Sequence, residues 1–196
     1  MNDPILIHPD SPQPTRSDAV KNRELLLQTA SDLFDQLGVE VVSMSQIAQE
    51  AGVGKGTLYR HFTNKAEICR TLLDNDQRDL QNRTLQHARE CGNDPYDVLR
   101  WFLAEAARFV TRYESLLSVM GELGVSSIQH PAHAWWRQTI RGLLGQMELR
   151  GDLDYMADTL YVMLDVHTIC YQMHDRGYGF ERIVDGLQAT LARFLD

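Results

Sequence analysis

The sequence predicts an all-α protein of about nine helices: a three-helix head, one long connector and a bundle of five. Three observations predict it. Apolar residues recur at helical spacing along most of the chain, with no convincing strand alternation and no internal repeat. The segment ends carry helix-capping residues. The 196 residues are 43% hydrophobic, enough to build a core and to exclude wholesale disorder.

Taken in order, residues 1–15 read as a disordered arm, rich in proline and poor in apolar side chains. A helix is expected from Arg16 or Ser17, because Leu26, Ala30, Leu33, Phe34 and Leu37 share one face, and Gly38 stops it as a left-handed cap. Ser43 with Gln46 is a capping box for a short helix over Met44–Glu50, ended by Gly52. Gly54 is the cap of a two-turn helix, Lys55–His61, and supplies no side-chain acceptor. Asn64 with Glu67 opens the long connector, to about His87 or Arg89.

Asp94-Pro95 opens an apolar helix to about Tyr113, since proline suits the first helical position. Glu114–Leu123, His133–Leu149, Leu153–His174 and Phe180–Leu195 follow, with a loop over 124–131. The expected division is an arm at 1–15, a head at 16–63, and a body at 64–196 whose connector is 64–89.

Two short helices joined by a tight glycine turn and braced by a third form a helix-turn-helix. The second helix of such a unit enters the DNA major groove by its N-terminal end. That geometry accounts for AGVGKGTLYRHF at 51–62: Val53, Leu58 and Phe62 turn inward, leaving Lys55, Thr57, Tyr59, Arg60 and His61 outward. Gly54 and Gly56 remove side chains where backbone approaches a duplex. Free amides and the positive helix end favour phosphate there. The formal net charge of the chain is -8, yet 43–70 holds Lys55, Arg60, Lys65 and Arg70 against Glu50 and Glu67. Phosphate contacts act at short range in salt, so the acidic total does not oppose a local DNA-binding surface.

The run SMSQIAQEAGVGKGTLYRHFTNKAEI (43–68), with LFDQLG (33–38) before it, resembles the DNA-binding domain of TetR-family transcriptional regulators. The likeness covers about 20–73 and keeps core positions, caps and turn in register. It implies an all-helical homodimer, usually a repressor, that binds a palindromic operator and is released by a small molecule held in a divergent C-terminal domain. It further implies pairing of subunits through the last two helices, here 153–174 and 180–195. Carried over by position, Ser45, Lys55, Gly56, Thr57 and Arg60 lie nearest the bases. Ser43, Tyr59, His61, Lys65 and Arg23 contact the DNA backbone. Gly54 departs from the serine frequent in the family at that cap, so one phosphate contact is absent.

In the body, Trp101, Phe102, Met120, Trp136, Ile140, Met163 and His167 are candidates for a pocket lining, since bundle pockets are mostly apolar with a few polar groups. The same side chains also suit a plain core. A metal-responsive alternative places His167, Cys170 and His174 on one helical face, with His130 and His133 nearby. Against it, the first and third lie about 10 Å apart along a helix. No cofactor is expected beyond the effector. A helical enzyme has no Gly-rich phosphate loop, nucleophile elbow or paired metal-ligand motif to support it. A helical interaction protein with a degenerate head fits poorly with the intact basic and polar side chains of 55–65. Three scattered cysteines, no signal-like start and no long apolar run point to a cytoplasmic protein without a membrane partner.

Overall fold

The computed structural model describes residues 16–122 and 131–195. The arm at 1–15 and most of the loop expected at 124–131 therefore lie outside the described residues. Among those described, ten α-helices and one π-helical turn occur, and no strand.

Three helices make the head: α1 (Arg16–Leu37), α2 (Met44–Glu50) and α3 (Lys55–His61). Each ends as its sequence requires. Gly38 has φ +87° and Gly52 φ +66°, left-handed conformations that favour glycine. Ser43 Oγ caps α2 by accepting from the Gln46 N–H at 3.2 Å. Gly54 caps α3 with no side-chain hydrogen bond, as expected. Leu26, Ala30, Phe34, Ile47, Ala48, Leu58 and Phe62 fill the core between these helices.

The connector α4 (Lys65–Glu90) belongs to two cores. Its first half gives Ile68, Cys69 and Leu73 to the head, and its second half gives Leu80 to the body. At its start Asn64 Oδ1 accepts from the Glu67 N–H at 2.9 Å. The Glu67 carboxylate reaches back to the Thr63 N–H (2.7 Å) and hydroxyl (2.8 Å), one residue before the cap. Those two donors hold the Glu67 carboxyl below its ordinary range.

The body is built from α5 (Pro95–Arg112), α6 (Glu114–Glu122), α7 (Pro131–Leu144), α8 (Leu153–Met163), α9 (Val166–Cys170), a π-helical turn (Tyr171–Asp175) and α10 (Phe180–Ala192). Its core gathers Leu99, Phe102, Leu103, Ala106, Trp136, Ile140, Leu160 and Leu187. Helix α6 also places Leu116 in the head core, so α4 and α6 both join the two halves. Tyr113, between α5 and α6, donates to Asp76 Oδ2 of α4 at 2.5 Å.

Three expectations for the body are corrected. Helix α7 ends at Leu144, not Leu149. The single helix expected over 153–174 is broken at Leu164 and Asp165. There Asp165 turns its carboxylate onto the His167 N–H at 3.0 Å and starts a new helix. An aspartate flanked by apolar residues is a cap signal that periodicity alone passes over. The last helix stops at Ala192, short of the expected Leu195. No helix of the described residues is long and apolar enough to cross a membrane.

Candidate nucleic-acid interface

Helix α3 presents two unlike faces because its apolar residues are spaced for one side only. Leu58 and Phe62 are fully buried. Lys55, Gly56, Tyr59 and Arg60 are exposed, and Thr57 and His61 are half-buried at the margins. A side chain built at Gly54 or Gly56 would meet nothing within 4 Å, so the start of the helix stands clear of the rest of the head. Arg60 Nη2 donates to Thr57 Oγ1 at 3.3 Å, which holds the guanidinium against the helix. The carbonyl of Gly54 accepts from the Thr57 and Leu58 N–H groups. The amides of Lys55 and Gly56 are among the first-turn donors that no helix carbonyl can reach.

The other expected contacts surround this helix. Ser43 is exposed at the N-terminus of α2, where its oxygen is engaged with Gln46 while its own hydroxyl proton can still be donated. Ser45 is half-buried in the first turn of α2. Arg23 lies beyond the C-terminal end of α3, with its guanidinium 5.0 Å from the centre of the Phe62 ring and 3.5 Å from Thr71 Oγ1.

Lys65 departs from the expected arrangement. Its ammonium donates to three backbone carbonyls of the α1–α2 connection: Val39 at 2.5 Å, Glu40 at 3.1 Å and Val42 at 3.0 Å. An ammonium has three protons, so all are directed into the head and none toward a phosphate. The sequence identifies a lysine beside free amides, but not the carbonyls that converge on it from residues far back in the chain.

Most candidate pocket residues sit in or against the body core. Phe102, Trp136 and Ile140 lie in the body core, where the Phe102 and Trp136 rings meet edge to face with centres 6.2 Å apart. Trp101 packs against that core and stacks on His87 at 4.7 Å. Met163 lines a shallow crevice of about 170 Å³ with Tyr178, Arg182 and Leu187. His167 is exposed. The side chain of Met120 is outside the described part.

Sequence reasoning missed a polar group in this core. Gln77 of α4 is 4% exposed; its Oε1 accepts from Trp136 Nε1 at 2.8 Å, while its amide nitrogen is buried with no hydrogen-bond partner. The available signal was a glutamine four residues after Leu73, on the inner face of α4.

The His167, Cys170, His174 face does not assemble. The π-helical turn begins at Tyr171 and changes the spacing that would align His174 with the others. His174 Nε2 instead meets Glu114 Oε1 at 2.8 Å. Burial, and then the neighbouring Glu114 carboxylate, push the Cys170 thiol up to about 11, which opposes the thiolate a metal needs. His130 lies outside the described residues, as does the side chain of His133.

A two-turn helix clear of its surroundings, with lysine, arginine, tyrosine and bare glycine outward, defines a helix-turn-helix DNA-binding protein. Comparison with known proteins places this domain. Residues 26–72 match the model of bacterial regulatory proteins of the tetR family. A curated HTH-type transcriptional regulator of Staphylococcus aureus (strain bovine RF122 / ET3-1) is 29% identical over 170 residues, covering 85% of this chain and 90% of the relative. Two solved structures share the fold: a transcriptional regulator from Rhodococcus sp. Rha1 and a TetR-family regulator from Pectobacterium atrosepticum. The first has TM-score 0.69 at 19% identity, covering 88% of this chain and 95% of that one. The second has TM-score 0.69 at 18% identity, covering 92% and 95%. Over residues 26–72 the chain carries a DNA-binding domain of the tetR family of regulatory proteins, and this homology makes it a regulator rather than an enzyme.

Proposed function

We propose that the chain is a homodimeric repressor that binds a palindromic operator through α3 and is released by a small molecule bound in the body. The observation that carries the DNA-binding part is the exposed face of α3; in this reading Lys55, Gly56, Thr57 and Arg60, with Ser45 of α2, address base edges. Tyr59 and His61 contact the phosphate backbone, with Ser43 and Arg23 flanking them. In this reading Lys65 serves by fixing the connection before α2 and touches no DNA. The functional division is a head at 16–63 and a body at 64–196.

Pairing falls to α8 and α10. Tyr155 (73% exposed) and Val162 (58%) leave apolar surface on α8 beyond what the core buries. A second copy covering this surface would set two α3 helices toward successive major grooves. Effector control follows from α4, which carries residues of both cores. A ligand with an acceptor for the Gln77 amide would part the Phe102 and Trp136 rings, and a shift of α4 would carry the head with it. An effector acts only through its unequal affinity for the two poses.

The test uses Lys55→Ala and Tyr59→Phe in the full chain. Each should weaken operator binding by about 1–3 kcal/mol for a base or charged phosphate contact, at unchanged thermal stability and dimer mass. Wild-type affinity in both would reject this placement of α3.

A further inference from the structure

We propose that the turn between α4 and α5 holds a divalent transition-metal ion of the zinc class, bound by His87, Cys91 and Asp97.

The local sequence builds the site. His87 and Cys91 are four residues apart at the C-terminal end of α4, so they share one helix face. Gly92 (φ +70°) and Asn93 (φ +60°) are both left-handed, and this double turn brings the start of α5 back beside the end of α4. Asp97, in the first turn of α5, then faces His87. One donor atom from each of the three residues lies within 4.8 Å of the other two, and among the described residues no other group of histidine, cysteine and acidic side chains is so gathered.

The geometry fits an ion better than a direct bond. His87 Nε2 is 3.3 Å from Asp97 Oδ2, yet this buried nitrogen makes no hydrogen bond. Tetrahedral zinc with nitrogen and oxygen ligands at about 2.0–2.1 Å separates those ligands by about 3.3–3.4 Å. The Cys91 thiol lies within 4.8 Å of both and is held only by a weak 3.6 Å contact with the Ala88 carbonyl.

Supporting contacts hold the ligands in place. The His87 ring is stacked on Trp101 at 4.7 Å with 13° between planes. Arg100 Nη2 donates to Asp97 Oδ1 at 3.3 Å, which leaves Oδ2 toward the histidine. Partners of this kind orient metal ligands and raise affinity. The carbonyl end of α4 is the negative end of its dipole and favours a cation. A nitrogen, a sulfur and one carboxylate oxygen select zinc, cobalt or nickel over magnesium or calcium. Three protein ligands leave a fourth position to water. The bound ion would fasten the far end of the connector to α5.

The experiment uses the full chain, stripped with chelator and reduced, titrated with Co²⁺ and then displaced with Zn²⁺. A near-ultraviolet sulfur-to-cobalt charge-transfer band should grow to one equivalent per chain and vanish on adding Zn²⁺. Cys91→Ser should abolish it, and Cys69→Ser and Cys170→Ser should keep it. His87→Gln and Asp97→Asn should each weaken Co²⁺ binding by at least about tenfold. These last two variants decide the matter if Cys91→Ser does not fold. The proposal is overturned if no such band appears, if it survives Cys91→Ser, if it disappears in Cys170→Ser, or if both His87→Gln and Asp97→Asn bind as wild type does.

Discussion

Phe62→Ala should unfold the DNA-binding head while leaving the body folded. Phe62 is fully buried and ends α3, donating its N–H to the Leu58 carbonyl at 2.9 Å. Its ring packs in the head core beneath the Arg23 guanidinium. Truncating a buried phenylalanine costs about 3–5 kcal/mol, against about 5–15 kcal/mol for a whole domain. A head of three short helices has little to spare. The body keeps its own core around Phe102, Leu103 and Ile140. Circular dichroism should therefore show an early, partial loss of helix followed by the main transition, with DNA binding gone. A single transition at the wild-type temperature would show that Phe62 is not the keystone of this core.

The second large effect is expected at Lys65. Lys65→Met removes three charge-assisted hydrogen bonds to Val39, Glu40 and Val42 and keeps the aliphatic stem. The bond to Glu40 is exposed and the other two are part-buried, so water recovers only part of the loss and the cost is about 2–4 kcal/mol. The connection before α2 loosens, α2 and α3 lose their seat, and DNA affinity falls. The dependence of that affinity on salt should keep its slope, because no phosphate contact is lost. A phosphate-binding lysine would instead lower the slope by about one unit. Lys65→Arg should not restore stability, since a planar fork does not match three carbonyls converging on one point. A reduced slope with normal stability in Lys65→Met would return this residue to the DNA interface.

The head was legible in the sequence almost to the residue, for a physical reason. Its helices are short, and each end carries a local signal: Gly38, Ser43, Gly52, Asn64. Local signals are what a sequence displays. Lys65 shows the limit, because its partners lie more than twenty residues away and are backbone atoms with no sequence identity. The body was less legible. Its helices are apolar on several sides, so periodicity does not register a break at Asp165 or the π-helical turn beyond it. Nor does periodicity say which aromatic side chains meet: Trp136 faces Gln77, while Trp101, equally apolar, lies on His87. The His167, Cys170, His174 pattern was visible but not assembled. The His87, Cys91, Asp97 group was less visible because a turn with two left-handed residues creates it.

The most direct test of the account is a selection of random duplex DNA by the wild-type chain and by a Lys55→Ala, Arg60→Ala double variant of equal stability. The wild type should enrich inverted repeats with half-sites about one helical turn apart, as two α3 helices on a two-fold dimer require. The double variant should enrich none above the starting pool. Enrichment of the same repeats by the double variant, or failure of the wild type to enrich any inverted repeat, would contradict the central claim that α3 reads DNA.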